Sequence, residues 1–153
     1  MSLTDDIERL RQVPLLSALD DEGLRLIAFN VEHVTLSDAQ SVFFIGEPAP
    51  GALLILDGAI SQLQLLNGEM VESGRLEAGT IIDPYALISD SKRTFTAKAV
   101  GELTYMSLDR KVFLKVMENY PDLAERVQDH LSDDITQTAS TLTKVASRLD
   151  RIN

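Results

Sequence analysis

An antiparallel β-sandwich or barrel with helices at both ends is the architecture this sequence predicts, and three observations predict it. Short β-rich runs follow one another between residues 31 and 108, with turn signals between them. No helical stretch separates those runs, as a parallel sheet would require. Residues 1–30 and 109–153 instead carry apolar positions at helical spacing.

In the first zone, Asp20, Asp21 and Glu22 precede Leu24, Ile27 and Ala28, an acidic start on an apolar stripe, with Asp20 as the N-cap. In the second, the predicted strands are Val31–Leu36, Ser41–Ile45, Ala52–Leu56, Ile60–Leu66, Met70–Leu76, Arg93–Val100 and Leu103–Leu108. Gly46–Glu47–Pro48, Asp57–Gly58, Asn67–Gly68 and Val100–Gly101–Glu102 punctuate them as turns. Ser61, Leu63 and Leu65 alternate with Gln62 and Gln64, the period of a half-buried strand.

In the third zone, Asp109 caps a segment burying Val112, Phe113, Val116 and Met117, and Pro121 opens a final helix. That helix runs for about 30 residues, or about 45 Å. Its Leu131, Ile135, Thr138, Leu142, Val145, Leu149 and Ile152 recur at steps of four and three, a heptad seam apolar at all but Thr138. A helix lying on its own barrel is the alternative, but the far half of this one has no further chain to cover it, so the seam predicts a homodimer.

The 153 residues suffice for a single domain with a real core. Hydrophobic residues at 44% and charged residues at 25% place the chain among ordinary globular proteins. The absence of cysteine excludes disulfides, thiolate metal sites and cysteine nucleophiles. A net charge of −10 argues against nucleic acid and anionic membranes, whose phosphates are bound by lysine and arginine. No apolar run reaches the roughly 18 residues of a membrane span, and the N-terminus lacks a signal-peptide pattern. A cytoplasmic protein is expected.

Catalytic motifs are missing. His33 and His130 stand in different predicted elements, too sparse for the clustered ligands of a metal-dependent barrel enzyme. His33 is expected to be a strand-face residue. No Gly-x-Ser-x-Gly elbow, Walker motif or dinucleotide motif occurs. The sequence predicts a non-enzymatic protein with no metal.

Residues 79–96 are the most informative stretch: a glycine (Gly79), a hydrophobic strand end (Ile81–Ile82), a one-turn helix at Asp83–Leu87, then Arg93 leading into another strand. That is the layout of a phosphate cradle. The order of elements around it resembles the cyclic-nucleotide-binding domains. Residues 13–24 (VPLLSALDDEGL) look like their entry helices, Phe44 through Ala49 and Leu53 through Gly58 like their first hairpins, and Phe113 with residues 120–124 (YPDLA) like the helices after the barrel. The resemblance covers nearly the whole chain. It implies an eight-stranded jelly-roll barrel plus a long C-terminal helix, the sensor half of catabolite-activator and Fnr-type bacterial regulators. Those regulators continue into a DNA-reading helix-turn-helix. This sequence ends at Asn153, so direct DNA binding is not expected and a protein partner would have to supply it.

In family members that bind cAMP or cGMP, the cassette is approximately Gly-Glu-x-Ala-Leu, a short linker, then Arg-x-Ala. The resemblance implies that Arg93 pairs with the cyclic phosphate, that Ala86 and Leu87 match Ala-Leu, and that Thr94 lies where a hydroxyl reaches phosphate. Tyr85 is a candidate to stack on the ligand, or else packs on the barrel with its hydroxyl at the rim. Three positions depart. Asp83 replaces the glycine, Pro84 the glutamate that would accept from the ribose hydroxyl, and Phe95 the small residue after the arginine. Asp83 is expected to stand in for phosphate, capping the short helix and pairing with Arg93, and Phe95 to fill ligand volume. The functional expectation is a regulatory sensor module impaired in ordinary cAMP and cGMP binding, with no cofactor required by any motif. Its ligand could then be another anion reaching Arg93. The alternative is a ligand-free dimerisation module that partners another regulator.

Overall fold

The segment Gly-Ala-Leu-Leu-Ile-Leu at 51–56 is buried at every position, although a strand sends alternate side chains to opposite faces. Both faces are therefore covered, and this organises the protein. In a computed structural model, residues 3–13, 16, 19–121, 125 and 129 are described. Helices α1 (Leu3–Arg11) and α2 (Asp21–Asn30) lead into β1 (Glu32–Leu36), β2 (Ser41–Phe43), β3 (Pro48–Ala49), β4 (Gly51–Leu66), β5 (Glu69–Glu77) and β6 (Ile81–Ile82). A short 3-10 helix (Pro84–Leu87), β7 (Ser91–Lys92), β8 (Thr96–Asp109) and α3 (Arg110–Glu118) follow. All described strand pairings are antiparallel: β1-β8-β4-β5 form one path, β2 also pairs with β8 and β6 with β4, and β3 pairs with β7.

The even positions of β4, Ala52, Leu54 and Leu56, join Met106 and Leu108 beneath a layer of helical side chains that includes Leu24, Ile27, Phe113 and Val116. The odd positions Leu53 and Ile55 join Ile60, Ala97, Ala99, Leu103, Tyr105, Phe43 and Phe95 in a second core. The result is mainly β with flanking helices, the predicted class. Asp20 caps α2, its Oδ1 accepting from Gly23 N at 2.8 Å, and Asp109 caps α3 through Lys111 and Val112 N–H groups. Val112 itself is only half-buried, while Phe113, Val116 and Met117 are buried as predicted.

Two of the predicted turns are not turns. Asp57–Gly58 and Val100–Gly101–Glu102 lie inside β4 and β8, where the register between the strands shifts at the same level. Gly58 has φ +87°, and a Cβ there would stand 2.3 Å from the Glu102 carbonyl oxygen. A positive-φ glycine serves a bulge as well as a hairpin, and the partner strand continuing past it decides which. Asn67–Gly68 is a true hairpin, with φ of 53° and 83° at its two loop residues.

Other boundaries also moved. Val31 caps α2 rather than starting β1, β2 stops at Phe43, and β8 begins at Thr96, leaving Arg93 outside any strand. Of the predicted half-buried alternation, Ser61, Gln62 and Leu63 are half-buried, while Gln64 and Leu65, the latter at 59% exposure, stand out towards the hairpin tip. Pro121, Glu125 and Asp129 are helical, and the rest of the predicted final helix, with its seam from Leu131 to Ile152 and His130, lies outside the described residues. Among the described residues, no helix is long and apolar enough to cross a membrane.

Candidate functional site

The stretch from Gly79 to Thr96 is tied to the sheet at both ends. Gly79 N donates to Ile55 O at 2.8 Å and Ile55 N to Thr80 O at 3.0 Å, and β6 then pairs with Leu53 and Leu54. At the other end, Arg93 N donates to Glu47 O and Gly46 N to Arg93 O, both at 2.8 Å. The Gly46–Glu47 turn therefore fixes the backbone from which the arginine side chain departs.

That side chain is buried, with Arg93 only 6% exposed. Its Nη1 donates to Asp83 Oδ2 at 2.8 Å and to Gly51 O at 3.3 Å. Its guanidinium carbon lies 4.4 Å from the centroid of the Phe43 ring, a cation–π arrangement. Phe95 contacts Phe43 in turn, with centroids 5.3 Å apart and planes at 56°. A Cβ on Gly51 would lie 1.8 Å from Leu108 O, so only glycine lets β4 run this close to β8 beside the arginine.

Asp83 has φ 54° and ψ 53°, a left-handed conformation that glycine adopts without strain. Aspartate is among the few other residues that tolerate it. The expected helix cap does not form: the Asp83 carboxylate makes no capping hydrogen bond. A capping side chain needs an extended backbone to reach back over the first turn. In the left-handed conformation the side chain goes to Arg93 instead, and the backbone carbonyl of Asp83 accepts from Ala86 N at 3.0 Å. Pro84 occupies the first helical turn, where its fixed φ is suited.

The remaining predicted residues fall in different places. Ala86 and Leu87 are fully buried, and Leu87 belongs to the helix-side core. Tyr85 and Thr94 have exposed side chains. Thr96, two residues on, is the buried threonine, and its Oγ1 accepts from Ile45 N at 3.0 Å. Phe95 is buried at 6% exposure in the second core and packs against Phe43, whose ring lies beneath the guanidinium.

Sequence reasoning missed four contributors. Phe43 and Gly51 carried no local signal beyond an apolar residue and a strand-start glycine. Arg110 was passed over as the residue after a cap. His33, taken as a strand-face residue, does sit on β1, but its Nε2 lies 3.0 Å from Oδ1 of the buried Asp6, joining α1 to the sheet. Among the described residues no cluster of three or more histidine or acidic side chains could hold a metal ion.

Burial raises the pKa of the Tyr105 phenol above its usual value. The nearby Arg93 charge opposes the shift and Glu32 adds to it. A raised folded-state pKa means that the folded protein holds this proton more tightly than the unfolded chain does. The associated stability is present below about pH 10 and is lost as pH rises through the folded pKa. Tyr105→Phe should therefore retain its melting temperature further into the alkaline range than the wild type, as followed by circular dichroism between pH 9 and 11. Parallel alkaline melting curves would show that Tyr105 contributes nothing to this transition.

With this geometry in place, comparison with known proteins is informative. The model of the family described as "cyclic nucleotide-binding domain" matches residues 33–120. A cAMP-dependent protein kinase regulatory subunit of Blastocladiella emersonii is 30% identical over 123 residues, covering 79% of this chain and 30% of that protein. The chain thus spans about a third of the length of such curated relatives. A cyclic nucleotide-binding-like protein from Brucella abortus bv. 1 str. 9-941 superposes with a TM-score of 0.70 at 30% identity, over 74% of this chain and 98% of that one. The N-terminal domain of a transcriptional regulator from Streptomyces coelicolor A3(2) gives 0.78 at 21% identity, over 88% and 94% of the two chains, a likeness of fold. Family match and fold agree: this chain belongs to the cyclic nucleotide-binding domain family.

Proposed function

We propose that this regulatory domain keeps the family's cradle but fills it with its own carboxylate, so that ordinary cAMP and cGMP binding is impaired. The observation that carries this reading is the 2.8 Å contact between Asp83 and Arg93, whose side chains are 20% and 5% exposed. A carboxylate tethered ten residues away competes at an effective concentration on the order of millimolar, without the entropy cost of capturing a free ligand. A cyclic phosphate reaching Arg93 would also have to sit near Asp83, and two like charges 4 Å apart repel by ~1 kcal/mol in water and more in a pocket. Pro84 compounds the loss, because it has no acceptor for a ribose hydroxyl and no N–H for the phosphate.

Isothermal titration of the wild-type protein with cAMP and with cGMP is the direct test. No saturable heat is expected at micromolar ligand. A structure with the phosphate of cAMP on Arg93 and Asp83 turned away would sink the reading.

A further inference from the structure

Arg110, the first residue of α3, reaches the cassette from outside it through three polar contacts, to Ala86, Ser89 and Asp90. Its Nη1 donates to Ala49 O at 3.1 Å, Ala86 O at 3.3 Å and Ser89 O at 3.1 Å. Its Nη2 lies 2.8 Å from Asp90 Oδ1, and its backbone N–H donates to Pro50 O at 2.8 Å. These acceptors are the carbonyls that close the short helix and the strand β3, which pairs with β7 just ahead of Arg93. Carbonyls at a helix C-terminus have no partner of their own within the helix, and a guanidinium satisfies several at once.

We propose that Arg110 is a positioning residue that couples the cassette to α3: whatever displaces residues 83–90 displaces the first turn of that helix through this one side chain. The two ion pairs bracket the segment. Asp83–Arg93 ties down its start, and at its end the Arg110 guanidinium meets Ala86 O, Ser89 O and the Asp90 carboxylate. Of the contacts on Arg110, those to the carbonyls carry the coupling, because the Asp90 side chain is 98% exposed and an exposed pair holds little. A parallel route exists in the packing of Leu87 with Phe113, both in the helix-side core. The experiment must separate the two.

Hydrogen–deuterium exchange on the full chain does so, with Asp83→Gly as the perturbation that releases Arg93. In an otherwise wild-type background, Asp83→Gly should raise exchange at least fivefold both at residues 86–89 and at residues 111–114. In an Arg110→Met background the cassette response should persist while residues 111–114 change less than twofold. Arg110→Lys, which keeps the charge but ends one bond short of the Nη1 position that meets the three carbonyls, should lose at least half of the α3 response, and it decides the matter if Arg110→Met does not fold. Asp90→Asn should leave the coupling within twofold of wild type. An α3 response that survives both Arg110 variants would assign the coupling to Leu87 and Phe113 and overturn the proposal. So would an α3 that is silent in the wild-type background, or a response abolished by Asp90→Asn. The inference rests on Asp83 occupying Arg93. Binding of cAMP to the wild type in the calorimeter would refute that reading separately, and cAMP would then replace Asp83→Gly as the perturbation.

Discussion

Replacing Asp83 by glycine and Pro84 by glutamate together is expected to restore the cyclic-nucleotide binding that we propose is impaired in the wild type. The backbone is already suited to the change, since residue 83 has φ 54° and glycine adopts that conformation freely. Glycine removes the carboxylate from Arg93, and glutamate supplies the acceptor for a ribose hydroxyl. Affinity for cAMP should rise at least a hundredfold, about 2.7 kcal/mol. The same substitutions should weaken the unliganded protein. Leaving a guanidinium with 5% exposure unpaired costs about 3 kcal/mol, offset by about 1 kcal/mol of relieved left-handed strain. The melting temperature should then fall by about 4–8 °C, and cAMP at a hundredfold excess over Kd should restore most of it. Calorimetry and thermal melts on the double variant read both effects. A variant that melts like the wild type and ignores cAMP would show that Asp83 neither holds nor blocks Arg93.

Arg93→Met should destabilise the fold by about 3 kcal/mol, at the lower end of what breaking a buried pair costs, because Asp83 keeps 20% exposure and some solvent. Methionine retains the apolar stem over Phe43 but loses the cation–π contact and the donors to Asp83 and Gly51. The expected drop in melting temperature is about 6–12 °C. A double-mutant cycle with Asp83→Asn should return a coupling of at least about 1 kcal/mol between the two residues. A loss below about 0.5 kcal/mol for Arg93→Met would place the pair among ordinary surface salt bridges and contradict the role we propose for it as the plug of the cradle.

Much of the fold was legible because local chemistry and burial agreed. Asp20 and Asp109 cap the helices they were expected to cap, and Asn67–Gly68 turns the one hairpin whose two loop residues both take positive φ. Legibility failed where one local signal admits two outcomes. Asp57–Gly58 and Gly101 look like turns, and only the register between β4 and β8 shows that both strands continue through them. The alternation at Ser61–Leu65 is half-buried as far as Leu63, but Gln64 and Leu65 nearer the hairpin tip are exposed.

The site divides in the same way. The cradle's layout was legible in the sequence, while Arg93 as its expected cation and the three departures at Asp83, Pro84 and Phe95 came from the resemblance to the cyclic-nucleotide-binding pattern, which compares residue types position by position. Only the tertiary structure decided what those residues do. The left-handed backbone at Asp83 turns its carboxylate from the helix N–H groups to the guanidinium. Phe43, 50 residues before Arg93, provides the ring beneath that guanidinium, and Arg110 reaches the cassette's carbonyls from a different helix. Spacing along a chain determines which groups are available. Which of them meet depends on dihedral angles and on contacts between distant segments, and packing sets both.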